Sequence, residues 1–210
     1  MIQEIKLSRK ERERETRETE ILTAARKLFL KNGFVAATMD DLGKESEFSK
    51  KTLYSYFQSK EEILIRVFLQ AINESHQSYV DAVSNKTTGY DKLTAYSINV
   101  YECYKEKPEY LPLYDTALQV IAKKEKLNDK TLHILMSTNE LSISLVKDIF
   151  ELGVKDKTLR EDLRFDIAIR YYMVTIQHVA KLFLLCCDFT QADYLTAVEY
   201  FLQGFKREVK

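Results

Sequence analysis

Glycine and proline are scarce in this sequence, with five glycines and two prolines among 210 residues, and tryptophan is absent. Because these two residues shape β-turns and glycine-rich loops, their scarcity disfavours a sheet protein with many tight turns. Leucine, lysine, glutamate and alanine, which are good helix formers, are frequent. The sequence therefore predicts an all-α fold.

The cysteines Cys103, Cys186 and Cys187 are an odd number and lack the CxxC spacing of many metal sites. No secretory leader is recognisable before them, so we expect free thiols and a cytoplasmic location. The most apolar stretch, residues 171–187, is short and interrupted by polar side chains. It predicts a buried helix rather than a membrane span.

The sequence also lacks the common enzyme motifs GxSxG, HExxH and the glycine-rich phosphate loop. The acidic pairs Asp40–Asp41 and Glu61–Glu62 lie at predicted helix N-termini, where negative charge is favourable, so capping explains them better than catalysis. The three histidines are far apart along the chain and have no neighbouring cysteine. We therefore expect no enzymatic activity, no metal and no cofactor.

Basic and acidic residues balance at 32 each, which argues against a protein that coats nucleic acid through overall positive charge. Residues 1–60 nevertheless hold 13 basic and 10 acidic residues, a net charge of +3, which leaves −3 for residues 61–210. Within the first part, the basic excess is concentrated at Lys50, Lys51 and Lys60.

Residues 38–60 predict two short helices joined by a tight corner, followed by the start of a third. Thr38 and Asp41 have the spacing of a capping box, so the first helix should begin near residue 39. Ser49 is a natural cap for the second helix, in which two apolar residues four positions apart form one buried face. Ser59 is placed to cap the third.

The second of these helices has no acidic residue, and most of its side chains away from the apolar face are hydrogen-bond donors. Phosphate oxygens accept hydrogen bonds from such donors, so we expect this helix to contact DNA. Taken singly, each residue also fits an ordinary solvated corner. The candidate DNA-binding residues are Thr38, Ser49, Lys50, Lys51, Thr52, Tyr54, Ser55, Tyr56 and Lys60. The candidates for base edges are Lys50, Lys51 and Thr52, and those for phosphates are Thr38, Tyr54, Tyr56 and Lys60.

With the apolar helix that precedes it and the run TLYSYFQSKEEIL at residues 52–64, this stretch resembles the TetR family of helix-turn-helix repressors over about residues 15–65. The resemblance implies a DNA-binding domain over residues 1–60 and a helical regulatory domain over residues 61–210. It also implies a homodimer, a double-stranded DNA operator with an inverted repeat, and a small-molecule effector that releases the repressor.

The sequence departs from the family pattern in the corner itself. Gly43 and Ser46 replace alanine, Glu47 and Phe48 replace a glycine and a small aliphatic residue, and Lys51 replaces a frequent glycine. Glycine within a helix costs about 1 kcal/mol relative to alanine, and a left-handed Glu47 would cost about 1–2 kcal/mol. These departures leave a second interpretation open, a helical carrier or sensor of a lipid-like molecule with a degenerate DNA-binding domain.

About nine helices are expected, and the last two, over residues 164–187 and 192–206, are apolar around more than one face. One apolar face can pack on the core, so the other needs a partner. The candidate dimer-interface residues are Leu195, Val198, Phe201, Leu202 and Phe205.

Tyrosine and phenylalanine together make up 24 residues, more than the N-terminal domain uses. Most should be ordinary core, although a mostly apolar pocket with a few polar anchors is the alternative. The candidate ligand-binding residues are Phe68, Ile72, Tyr101, Tyr104, His133, Ser137, Tyr171, Thr175 and His178. The expected ligand is apolar or aromatic, and the neighbouring Arg170 and Lys181 would allow it to be anionic.

Overall fold

The computed structural model describes residues 8–123, 127–186 and 188–207. In these ranges the chain forms nine α-helices and one short 3₁₀ segment at Pro108–Tyr110, which confirms the predicted all-α fold. The helices are α1 (Arg9–Asn32), α2 (Met39–Ser46), α3 (Lys50–Tyr56), α4 (Lys60–Ser84), α5 (Gly89–Glu106), α6 (Leu111–Ala122), α7 (Asp129–Lys155), α8 (Phe165–Leu185) and α9 (Gln191–Gln203). Cys187, the predicted end of α8, lies outside the described residues.

Hydroxyl and carboxylate caps set several of the helix starts. Thr190 and Asp193 form a complete capping box at α9. Ser8 and Glu11 form another at α1, so the charged N-terminal segment is helical from Arg9 onward. The apolar positions of this helix begin only after Glu18, because the preceding turns are polar on every side.

Two glycines lie at close contacts of α7. A Cβ atom on Gly89 of α5 would lie 2.2 Å from Gly153 Cα, and a Cβ atom on Gly153 would lie 2.5 Å from the Leu159 side chain. The helix α7 continues past Gly153 to Lys155. Asp156, just beyond that end, accepts a hydrogen bond of 2.7 Å from the Gly89 amide and so helps to cap α5.

By its internal contacts the chain divides into two compact units. Unit 1 comprises the described residues of Met1–Gln70 and Pro112–Ile134, and unit 2 those of Ala71–Leu111 and Leu135–Lys210. The first part of α4 and the start of α7 therefore belong with the N-terminal helices. The domain boundary predicted from the sequence lies at residue 60, at the start of α4. The boundary between the two compact units lies ten residues later, after Gln70 within the same helix.

Buried polar contacts connect α1, α4 and α7 within unit 1. Glu18 forms an ion pair with Arg66, and its second carboxylate oxygen lies 2.5 Å from Lys130 Nζ. Glu62 has no exposed surface and accepts a 2.7 Å hydrogen bond from the Thr131 hydroxyl. Because an unpartnered buried charge is costly, these contacts hold the start of α7 in unit 1.

Tyrosines form a hydrogen-bonded part of the unit 2 core. The buried Tyr172 hydroxyl donates to the Leu93 carbonyl at 2.8 Å and lies 2.9 Å from the Ser97 hydroxyl. The Tyr194 hydroxyl donates to the Ser97 carbonyl at 2.6 Å, and its ring stacks on Tyr101 with centroids 4.5 Å apart. Burial raises the pKa of Tyr172 well above its usual value, so the hydroxyl stays protonated and can donate. Much of the aromatic excess is therefore ordinary core.

Among the described helices, none combines the length and apolar character that crossing a membrane requires. Within the same residues, no group of three His, Cys, Asp or Glu side chains is placed to hold a metal ion. Cys103 and Cys186 are free thiols, as predicted, whereas Cys187 lies outside the described residues.

Candidate nucleic-acid interface

The first helix of the predicted corner, α2, begins with a complete capping box. The Asp41 amide donates to the Thr38 hydroxyl at 3.1 Å, and the Thr38 amide donates to the Asp41 carboxylate, also at 3.1 Å. Hydrogen bonds from the Thr38 hydroxyl and amide lower the pKa of the Asp41 carboxyl. The carboxylate part of this capping box is therefore ionised at neutral pH, and its contribution is lost as the pH falls through that lowered pKa. Met39 and Leu42 bury the inner face of α2.

The turn after α2 contains the left-handed Glu47 whose cost was considered from the sequence. Glu47 ends the helix with φ 59° and ψ 18°, in the left-handed region that favours glycine. Gly43 allows the chain to double back closely, because a Cβ atom there would lie 2.9 Å from the Phe48 carbonyl oxygen. Gly43 and Phe48, which both depart from the family pattern, thus form the two sides of one tight contact, and Glu47 directly precedes Phe48.

The second helix, α3, presents hydrogen-bond donors on its outer face. Its cap is formed by the Ser49 hydroxyl, which accepts from the Thr52 amide at 3.1 Å. Leu53 and Phe57 are buried and attach the helix to unit 1. Five of the predicted DNA-binding residues are exposed, namely Ser49, Lys50, Lys51, Tyr54 and Ser55. Two more, Thr52 and Tyr56, are half-buried. The structure therefore brings these predicted residues together on one accessible surface.

An acidic neighbour that the sequence analysis did not anticipate lies beside Lys50. Lys50 Nζ is 2.9 Å from Asp40 Oδ2 on α2, and this contact raises the pKa of the lysine amine. Both side chains are about half exposed, so the pair contributes little stability. A DNA phosphate that approaches Lys50 would have to compete with this carboxylate.

Arg14 on α1 also lies beside α3, although it is not among the DNA-binding residues predicted from the sequence. Its guanidinium lies 5.2 Å from the centre of the Tyr56 ring, and Nη2 lies 3.5 Å from the Ser55 carbonyl oxygen. This places a cation at the C-terminal end of α3, where the helix dipole favours positive charge. Contacts between residues 41 positions apart leave no local signal in a sequence.

Lys60 has protein partners where a phosphate contact was predicted. Its ammonium donates to the carbonyl oxygens of Phe34 at 2.9 Å, Val35 at 3.5 Å and Ala37 at 2.7 Å. It also lies 4.3 Å from the centre of the Phe34 ring. The side chain thus connects the start of α4 to the loop between α1 and α2.

The nine predicted ligand-binding residues are divided between the two units. In unit 1, Phe68 is buried and its ring meets that of Tyr114 edge-on at 5.4 Å, whereas His133 is exposed. In unit 2, Tyr101 is buried in the core. Half-buried residues are Ile72, Tyr104 and Thr175, and exposed ones are Ser137, Tyr171 and His178.

Tyr171, Thr175 and His178 do share one face of α8, as their spacing predicted. That face points away from the core of unit 2, since Tyr171 is 58% exposed and His178 is also exposed. His178 Nδ1 lies 2.9 Å from the Val174 carbonyl oxygen of its own helix.

Three of the five predicted dimer-interface residues are core residues. Val198 and Leu202 of α9, and Phe205 just after its end, are at most 5% exposed, because α9 and the residues that follow it pack on the core of unit 2. Phe201 is half-buried, and Leu195 is 40% exposed. The argument that α9 carries surplus apolar surface is therefore wrong for the three buried residues.

The surplus apolar surface is on α8 instead. Its inner face is buried, through Ala168, Tyr172 and Ile176 among others. Its outer face exposes large apolar side chains, each more than half exposed and spaced along one side of the helix, namely Ile167, Tyr171, Val174, Leu182 and Leu185. The prediction that this helix is apolar around more than one face is confirmed.

Two capped helices joined by a tight turn, the second with an outer face of donors and no acid, define a helix-turn-helix DNA-binding domain. Residues 21–67 match the model of a family described as bacterial regulatory proteins, tetR family. The transcriptional repressor KstR2 of Rhodococcus jostii (strain RHA1) is 24% identical over 155 residues, or 74% of each chain. The helix-turn-helix region therefore matches the TetR family of regulators, the family that the sequence was predicted to resemble.

Solved structures share the fold over most of the chain. KstR2 of Mycobacterium tuberculosis, described as a ketosteroid transcriptional regulator, has a TM-score of 0.60 at 19% identity and covers 91% of this chain and 96% of its own. FadR from Bacillus subtilis in complex with stearoyl-CoA has a TM-score of 0.66 at 16% identity and covers 91% and 99%. These relatives are transcriptional regulators rather than enzymes, which confirms that expectation.

The conformation of Glu47 gives a stability prediction. Glu47→Gly removes the left-handed strain of about 1–2 kcal/mol but adds flexibility to the unfolded chain, so we expect a net gain of about 0.5–1 kcal/mol in the free energy of unfolding. Lys44→Gly, in the interior of the same helix, should instead cost about 1 kcal/mol. Chemical denaturation of both variants tests this. Equal losses of stability in both would contradict the strained turn.

Proposed function

We propose that this regulator is a repressor that binds an inverted-repeat operator as a homodimer and leaves it when a small apolar molecule binds. The observation that carries the DNA-binding part is the outer face of α3, where a capped, acid-free helix presents lysine, serine, threonine and tyrosine side chains together. A recognition helix reads base edges through residues near its N-terminus, which here are Lys50, Lys51 and Thr52. Thr38, Tyr54 and Tyr56 flank them as phosphate donors.

The distribution of charge along the chain supports DNA binding by the N-terminal region, although the net charge of the whole chain does not. The whole chain is neutral, yet residues 1–60 carry a net charge of +3. A local basic surface draws DNA toward α3 without favouring indiscriminate binding elsewhere. We expect this to happen in the cytoplasm.

Lys51→Met tests DNA binding by α3. The substitution removes an exposed charge from the outer face, so it should weaken binding to a preferred site by about 1–3 kcal/mol. Because a lysine at the base edges would also bring its charge close to the neighbouring phosphates, the substitution should reduce the slope of log affinity against log salt by about 0.9 for each protomer. Fluorescence anisotropy of labelled DNA at several salt concentrations measures both quantities.

Lys86→Met is the matched control, since it removes an exposed lysine from the loop after α4. It should leave affinity and slope unchanged. If wild type binds no DNA in a salt-dependent manner, the repressor proposal fails and the carrier or sensor alternative replaces it.

The outer face of α8 is the proposed dimer surface. Single exposed apolar residues are normal, but several of them along one side of a helix are typical of a protein interface. A two-fold axis would pair these residues with the same residues of a second copy. We include Leu195, which is 40% exposed on α9, and leave Val198, Leu202 and Phe205 in the core.

Val174→Asp should convert the dimer to a folded monomer. The side chain is 57% exposed in the single chain, so an aspartate there is solvated unless a partner covers it. Val198→Asp, at a position 1% exposed, should instead unfold unit 2. Sedimentation velocity at micromolar concentration, with thermal unfolding, distinguishes the two results.

Leu141→Asp is the control, because Leu141 is 46% exposed on α7 and lies outside the proposed surface. This variant should remain a dimer. A monomeric wild type, or a Val174→Asp variant that stays dimeric, would contradict the proposal.

The proposed effector is an apolar compound with one polar or anionic end. Two relatives support this proposal: KstR2 is described as a ketosteroid transcriptional regulator, and FadR was solved in complex with stearoyl-CoA. Such a compound can release DNA only if it prefers the conformation that binds DNA poorly, by typically about 1–3 kcal/mol. Among the candidate residues named from the sequence, the proposed contacts are the buried or half-buried ones of unit 2, which are Ile72, Tyr101, Tyr104 and Thr175.

Stearoyl-CoA and a ketosteroid are the probes for this proposal, with coenzyme A alone as the control. At least one apolar probe should raise the melting temperature and weaken DNA binding, because a ligand stabilises the state that it binds. Coenzyme A alone should do neither. If neither apolar probe changes melting or DNA affinity, the proposed effector class is wrong.

A further inference from the structure

The ammonium of Lys60 is engaged by the loop between α1 and α2. Three carbonyl oxygens, those of Phe34, Val35 and Ala37, lie within 3.5 Å of Nζ. An ammonium has three protons and no further donor. The three carbonyl oxygens therefore occupy the three N–H donors of Lys60 that a phosphate would need.

The position of Lys60 makes these contacts informative. It is the first residue of α4, where the helix dipole disfavours a positive charge. The Phe34 ring, with its centre 4.3 Å from Nζ, and the carbonyl oxygens supply negative potential that offsets this effect. The local environment thus suits a cation that is held by the protein itself.

The loop that Lys60 holds leads directly into α2. Gly33 ends α1 with φ 76°, and Thr38 caps α2 four residues after Phe34. Lys60 bonds near both ends of the intervening segment, at Phe34 and at Ala37, which is itself buried. The Phe34 ring is fixed in turn by an edge-on contact with Phe29 at 5.4 Å. The start of α2 is therefore tied to the start of α4.

We propose that Lys60 is a positioning residue for DNA binding: it fixes the loop that begins α2, and through α2 the presentation of α3, and it does not contact phosphate. The inference rests on the proposed DNA binding by α3. It replaces the phosphate contact that the sequence predicted for this lysine with a role inside the protein.

Lys60→Met retains much of the side-chain length and removes the ammonium. The experiment measures its melting temperature and its affinity for a duplex selected from random DNA, at several salt concentrations and well below the melting temperature. We expect a lower melting temperature and roughly tenfold weaker binding, because misplaced helices lose base and phosphate contacts together. The salt slope should stay at the wild-type value, since no cation leaves the DNA surface.

Lys51→Met is the matched reference, since it removes the same charge from the outer face of α3. Its salt slope should fall by about 0.9 for each protomer while its melting temperature is unchanged. Lys60→Arg keeps donors for the loop carbonyls and should recover part of the affinity.

Two results would overturn the inference alone. A slope that falls in Lys60→Met as in Lys51→Met, with an unchanged melting temperature, would make Lys60 a phosphate contact. An unchanged affinity of the correctly folded fraction, determined by stoichiometric titration, would leave Lys60 with a role in stability only. Absence of any DNA binding by wild type would instead refute the proposed function on which the inference rests.

Discussion

The tight turn between α2 and α3 is the constraint on which the proposed DNA-binding surface depends. Its geometry comes from a left-handed residue at Glu47 and from a carbonyl oxygen that approaches Gly43 too closely for any side chain there. Since α3 is only seven residues long, its direction is set by this turn and by the burial of Leu53. The strain at Glu47 is thus stored where the two helices must hold a fixed angle.

Unit 1 supports that turn from the side away from the outer face of α3. The loop before α2 is held by Lys60, and α4 is held in turn by the buried partners of Glu62 and Arg66. The start of α7 supplies Thr131 as the partner of Glu62, and its Lys130 pairs with Glu18, the partner of Arg66. The helices of unit 1 that support α2 and α3 are therefore held in place partly by the start of α7, a segment that is distant in the sequence.

Features that depend on neighbours in the sequence could be predicted. The caps at Thr38 and Ser49 and the start of α4 follow from spacings of three or four residues, and all three lie where the spacing placed them. The left-handed cost at Glu47 could be foreseen because a tight turn has few alternatives. Local rules were sufficient for the helices and for the exposed face of α3.

Features that depend on packing between distant segments could not be predicted. The partner of Lys50 is on another helix, and the acceptors of Lys60 lie 23 to 26 residues before it. Apolar periodicity also cannot tell which face of a doubly apolar helix is covered. For this reason Val198 and Leu202 were expected at an interface although they are core. A second apolar face was expected on α8 as well, but which of its residues are exposed was identified only in the structure.

We propose that two copies of the α2–α3 corner bind one DNA site. Selection of bound sequences from random double-stranded DNA by the purified protein is the test of this proposal. We expect enrichment of an inverted repeat, with half-sites separated by about 34–36 Å or a multiple of that distance. Failure to enrich any sequence, or enrichment of a single unrepeated site, would contradict it.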